Sequence, residues 1–348
     1  MRSGDAMMIL VTAGLAMLVI VMVLYRRSNK RKVSWKPVIV PLDAFNWADE
    51  EPRKYRPFKP VYNMSMGLRD DTPSDLITVD RNYLERVNIR RELLREHGKM
   101  LHGCAAGGEG AVRELYGYLM GHYLPARFPT MFELSGDGRQ IHNLVTGRTH
   151  PTTVMADITA ALRAIGETVE EDMFLVRETP DGHRSVAFVC CFPAGFNPST
   201  KLDKGLKDIH GPVPSYERIG PSMERYFSKL QVGKSVKRLN WVVQTHEELL
   251  VSRPHDAPHP GVGENGEINI EKTFLRVELQ TLTRLPLTRN ILFSFKTYMY
   301  PMRQIKDEGL GPDLAAAVEG LRLGNAPGMW VYKTGAQWAA TVCEYLRR

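Results

Sequence analysis

Cysteine is scarce in this chain: Cys104, Cys190, Cys191 and Cys343 are the only four in 348 residues. They show neither CxxC spacing nor a paired framework, so neither a zinc knuckle nor a secreted disulfide scaffold is indicated, and a reducing compartment fits. CxxCH, HExxH and GxSxG are absent too. Covalent c-type heme attachment, zincin chemistry and the nucleophile elbow of common hydrolases therefore have no sequence basis.

Several partial motifs fail on context. Gly261-Val-Gly263-Glu-Asn-Gly266 matches GxGxxG, but a Pro-rich loop precedes it and a strand-like run follows, where a dinucleotide site needs a strand and then a helix. Gly233-Lys-Ser235 would need a glycine where Ser228 stands to form a phosphate loop. It reads as a turn. His255 and His259 have helical spacing for a shared metal, but Pro254, Pro258 and Pro260 forbid that helix.

A long hydrophobic run is present. Residues 6–25 carry no charge over a length that crosses a bilayer as a helix, and end in cations at 26, 27, 30, 31, 32 and 36. The absence of a small-residue cleavage site favours an uncleaved anchor over a signal peptide. Basic flanks stay on the cytoplasmic side, which predicts a single-pass protein with its N-terminus lumenal or outside and its body in the cytosol, the endoplasmic reticulum being one such membrane. These cations account for nearly all of the net charge of +7, so the high pI points to no nucleic-acid partner.

The hydrophobic fraction of 43% suits one large globular domain or two ordinary ones. Prolines at 37, 41, 52, 57 and 60 make 35–60 an extended arm. Helical periodicity follows at 81–97, with Asp80 as its N-cap and Tyr83, Val87 and Leu94 as its buried stripe, then at 110–123 and 154–169. Short strands are predicted at 131–134 and 140–144, and longer ones at 185–192, 237–245, 273–282 and 290–300. Helices near 312–323 and 334–346 close the chain. Consecutive strands without crossover helices predict an α+β fold, an antiparallel sheet with helices packed on one face.

Two stretches could carry chemistry. In residues 192–241, His210 stands between an apolar residue and a Gly-Pro-Val-Pro turn, followed by an amphipathic helix. Such a constrained imidazole is a metal or heme ligand or simply a helix-end residue. In residues 273–282 the period of two places Arg276, Glu278 and Gln280 on one face and Leu275, Val277 and Leu279 on the other. The polar face is either a pocket or the solvent side of a half-buried strand.

Four ordered blocks resemble the heme-dependent oxidative N-demethylase family, whose fungal members are described as HRQ-family proteins. They are 57–69, Pro193…Lys201…Ile209-His210-Gly-Pro-Val-Pro214, Arg238-Leu-Asn-Trp241, and 276–286. The resemblance runs from about residue 57 to 300. It implies a PAS-like sheet enclosing heme b, and oxidative removal of a methyl group from a small amine, as formaldehyde, in a monooxygenase-type reaction using O2. On that basis His210 is the axial iron ligand, Lys201, Arg238, Arg276 and Gln280 contact the cofactor, guanidinium pairing with propionate, and Glu278 holds an ammonium substrate or relays protons. Where relatives commonly read Glu-Arg-Gln this chain has Glu278-Leu279-Gln280, and Phe196 stands where tryptophan is expected.

The expected organisation is a transmembrane anchor at 1–25, a basic and Pro-rich arm at 26–56, and a heme-binding domain with helical extensions at 57–348. No flavin, nicotinamide or iron–sulfur motif is present, so electrons are expected from a separate reductase. A heme-based gas or redox sensor and a heme-free PAS-like binding module are the alternatives from other functional classes.

Overall fold

Hydrogen bonding of β-branched and aromatic runs builds the molecule around one large sheet. The computed structural model describes residues 37–154, 156–253 and 267–348. The expected N-terminal span and its basic flank lie outside these residues, as do His255, His259 and the Gly261–Gly266 motif. Among the described residues no helix is long and apolar enough to cross a membrane.

Ten strands form among the described residues: β1 (Arg69–Asp71), β2 (His102–Cys104), β3 (Phe132–Leu134), β4 (Gln140–Asn143), β5 (Arg148–Pro151), β6 (Asp172–Thr179), β7 (Gly182–Val189), β8 (Ser235–Gln244), β9 (Phe274–Arg284) and β10 (Ile291–Pro301). Seven make an antiparallel sheet in the order β1-β8-β9-β10-β6-β7-β2, and β3-β4-β5 make a separate small sheet. The α+β class and the antiparallel meander are as the sequence indicates. β6 was not expected from the pattern, because buried Met173, Phe174, Leu175 and Val176 form a continuous apolar run without alternation.

Cross-strand partners share a face. One face carries the rows Val236–Leu282–Phe293–Phe174–Phe188, Arg238–Gln280–Phe295 and Asn240–Glu278–Thr297. The other carries Leu239–Leu279–Lys296, Trp241–Val277–Tyr298 and Val243–Leu275–Tyr300. That second face is the main core, where Trp241, Val277 and Tyr298 join Leu314, Trp338 and Val342 of the C-terminal helices Gly311–Glu319 and Gly335–Arg347. The first face is only partly roofed, by residues 192–219 and the Gly220–Lys229 helix, so helices are not confined to one side as the strand pattern suggested.

The helix after Asp80 spans Tyr83–His97 with Asn82 at its N-cap and no side-chain cap bond from Asn82. Asp80 caps the turn that leads into it, its Oδ1 accepting from Asn82 N at 3.0 Å. Its Oδ2 pairs with Lys296 at 2.8 Å, and Lys296 also meets Glu170 at 2.7 Å, all three buried. A buried ammonium needs such carboxylates, so one side chain serves both the local turn and a tertiary pair. Tyr83, Val87 and Leu94 are buried as expected, and Arg90 joins their stripe. Its guanidinium donates to Gly166 O, Glu170 O, Glu171 O and Asp172 Oδ1, the last at 2.6 Å. Asp172 also accepts from the Cys191 and Phe192 amides at 2.6 and 2.8 Å, which fixes the exit of β7.

The segment after the arm meets the C-terminal region at Gly324, whose φ of +79° and close approach to Tyr62 O exclude a Cβ. Arg90→Met should cost about 3–5 kcal/mol of stability, because it leaves Asp172 buried without its cation. A urea midpoint change equivalent to less than about 1 kcal/mol would show that the pair carries no such weight.

Candidate functional site: a half-roofed polar and aromatic slot

The roof is built by local capping. Asn197 Oδ1 accepts from Ser199 N at 3.0 Å and starts the turn Pro198–Lys201. Lys201 Nζ reaches forward to Ile209 O at 2.9 Å, tying that turn to the short helix Leu206–Ile209. Gly205 precedes this helix and His210 ends it, where Pro212 and Pro214 forbid continuation.

His210 is doubly fixed. Its Nδ1 donates to Leu206 O at 2.8 Å, and its ring stacks on Tyr216 with centroids 4.7 Å apart and planes 3° apart. A carbonyl can only accept, so the proton is on Nδ1 and Nε2 keeps its lone pair, without a partner among the described residues. Burial lowers the proton affinity of the ring, and the Lys201 and Arg238 cations lower it further, against the Leu206 carbonyl. The imidazole is thereby held neutral, with one nitrogen oriented by a carbonyl and the other available, as metal-bound histidines are.

The roof meets the sheet through an aromatic wall. Phe174, Phe188, Cys190 and Phe295 are buried together, with Phe196, Leu202 and Phe293 packed against them. Phe174 and Phe188 stack at 5.7 Å. Beside this wall runs the polar strip. Glu278, 7% exposed, accepts on Oε2 from Gln280 Nε2 at 2.9 Å and Asn240 Nδ2 at 3.3 Å. Its Oε1 has no hydrogen-bond partner among the described residues. No cation among the described residues lies within ion-pair distance, although Arg238, Arg276 and Lys333 all feel its charge. Burial lowers the proton affinity of Arg238, and its Nε is buried without a partner, as is Thr297 Oγ1 beside Glu278.

Arg276 has a different job. Fully buried, it donates through Nη1 to Gln244 Oε1 and Leu249 O, both at 3.1 Å, and through Nη2 to Phe192 O at 2.5 Å. Both terminal nitrogens thus donate to the protein, while Nε is buried without a partner. The structure brings His210, Lys201, Arg238, Glu278 and Gln280 to one slot and places Arg276 at its end as a clamp. Leu279, the departure from the relatives' pattern, points to the opposite face and packs in the main core.

The chain matches the family described as haem-dependent oxidative N-demethylase, alpha subunit-like, over residues 67–343. It belongs to that family. The matched N-demethylase region contains all six residues singled out from the sequence.

The slot of this N-demethylase family member suits the cofactor that the family name implies. Among the described residues no cluster of three or more His, Cys, Asp and Glu could hold a metal ion. Heme iron needs one protein nitrogen, since the macrocycle supplies the rest. His210 Nε2 offers that nitrogen, the phenylalanine wall suits an apolar macrocycle, and the orphaned Arg238 Nε with Lys201 suits carboxylates. Asn240, Thr297, Lys333 and the wall other than Phe196 escaped sequence reasoning; the period of two in β8 and β10 was a signal for Asn240 and Thr297, and none marked Lys333.

Arg238→Gln should raise the imidazole proton affinity of His210 by removing a nearby cation. An NMR titration of the heme-free protein checks this, and an unchanged or lowered value would refute the coupling.

Proposed function

We propose that this protein is a heme-dependent oxidative N-demethylase acting on a small N-methylated amine. The observation that carries the reading is the pairing of two features across one slot. His210 Nε2 is oriented and unpartnered on the roof, while a buried carboxylate, Glu278, keeps one oxygen free on the sheet. Heme b bound there would supply the iron at which O2 is reduced and a methyl C–H bond oxidised. Overall, the amine, O2, two electrons and two protons give the demethylated amine, formaldehyde and water, so a separate reductase is part of the proposal.

Each protein group has a role that its surroundings allow. His210 presents a neutral nitrogen, and Lys201 and Arg238 neutralise propionates. Gln280 and Asn240 fix Glu278, whose free oxygen receives the ammonium or passes a proton. Arg276 holds Phe192 and Leu249 in place at the end of the slot. A sensor needs an open iron face but no buried carboxylate with a free oxygen, so this pocket favours turnover.

Taking β6 as first strand, the five central strands run 3-4-5-1-2, with the short helices between second and third. That supports the PAS-like reading. Anchoring by residues 6–25, with a cytosolic body, belongs to the same proposal; protease protection of the full chain in sealed membranes tests it.

Reconstitution with heme should give a Soret band that His210→Ala shifts or abolishes, and reduced protein given O2 and dimethylamine should release formaldehyde. No Soret band would overturn the cofactor assignment; a band without formaldehyde would overturn the demethylase assignment. Glu278→Gln should retain the band yet lower kcat/KM for dimethylamine by about 10²-fold, the usual size of a lost acid–base contribution. Unchanged kcat/KM would remove Glu278 from the reaction.

A further inference from the structure

Strand β1 pairs with β8 only over Ser235–Lys237, so from Arg238 onward the outer carbonyls of β8 have no strand partner among the described residues. One of these, Trp241 O, is capped by Lys333 Nζ, from the turn between the helices Met329–Tyr332 and Gly335–Arg347. Covering an edge in this way is ordinary protein economy. The same ammonium, however, also reaches Asn240 Oδ1 at 3.4 Å, and Lys333 is 4% exposed.

That second contact matters for Glu278. An ammonium only donates, so the oxygen end of the Asn240 amide must face Lys333. The nitrogen end must then face Glu278, where Nδ2 donates to Oε2 at 3.3 Å. With Gln280 Nε2 on the same oxygen at 2.9 Å, both donors are gathered on Oε2 and Oε1 is left for the slot. Reversing the amide would set Asn240 Oδ1 against the carboxylate, two acceptors in a buried site.

We propose that Lys333 is a positioning residue of this pocket: by fixing the Asn240 amide it directs the free oxygen of Glu278 toward the substrate amine. The inference rests on the demethylase reading. The charged groups acting on Lys333 are Glu278 on β9, which favours the ammonium, and Arg238 on β8, which disfavours it. Tyr332 and Tyr62 stand on the same side and burial keeps both phenols neutral, Tyr332 up to about 12. Burial itself is the largest influence on Lys333 and brings its proton affinity down to about 8. Below that pH the ammonium dictates the amide orientation. Above it the neutral amine has a lone pair, can accept from Asn240 Nδ2, and dictates nothing.

The test uses the full-length, heme-reconstituted chain. Lys333→Met should keep the wild-type Soret band while weakening dimethylammonium binding, read by calorimetry without turnover, and lowering kcat/KM on the order of 10- to 100-fold, as for displaced positioning groups. Wild type should lose kcat/KM as pH rises through about 8. The Met variant should lack that limb, and Lys333→Arg, which keeps its proton, should restore activity and carry it to higher pH. Asn240→Asp, which cannot donate to Glu278, should reproduce the binding loss and serves if Lys333→Met does not fold. Wild-type binding and an unchanged alkaline limb in Lys333→Met, or full binding in Asn240→Asp, would overturn the inference. Absence of a Soret band in the wild type would instead overturn the cofactor reading on which it rests.

Discussion

The register of β9 is the constraint on which this site depends. The strand is hydrogen-bonded along both edges, to β8 from Ser235 to Gln244 and to β10 from Ile291 to Pro301. A slip of one residue would carry Arg276, Glu278 and Gln280 into the apolar core and turn Leu275, Val277 and Leu279 toward the slot. Burial of Trp241, Trp338 and Tyr298 on the core side makes that exchange prohibitively costly. Hydrophobic packing on one face thus holds a polar constellation in place on the other.

Cations around Glu278 are divided by what else they touch. Arg276 is consumed by carbonyls and a glutamine, and Lys201 ties together the roof. Lys333 closes a strand edge, while Arg238 and Arg276 each keep a buried Nε without a partner. Guanidinium and ammonium groups of equal formal charge therefore differ in what they hold and in which donors they keep unpaired. Their hydrogen-bond partners decide this, because a buried donor is committed to whatever acceptor satisfies it.

Leu279 shows how topology changes the meaning of a substitution. Beside Glu278 in sequence, it is buried on the opposite face, opposite Leu239 on β8 and Lys296 on β10. An apolar residue there fits the core it occupies, and it does not border the slot. Phe196 does border it, contributing its ring to the wall with Phe174 at 6.5 Å.

Sequence alone determined a good deal. Period-two alternation fixed which residues of β9 share a face, proline and glycine placement fixed where the helix before His210 must end, and the order of four blocks pointed to the family. These are local properties, set by backbone geometry and neighbouring residues. Only the tertiary structure decided that the polar face of β9 is partly roofed, with Arg276 and Glu278 buried beneath the roof. It also joined Asp80 to Lys296, tied the terminal nitrogens of Arg276 to Phe192, Gln244 and Leu249, and brought Lys333 from the C-terminal helices to Asn240. Each of those outcomes pairs residues far apart in the chain. No local periodicity encodes such pairings, because a buried polar group takes its partner from whatever folding places beside it.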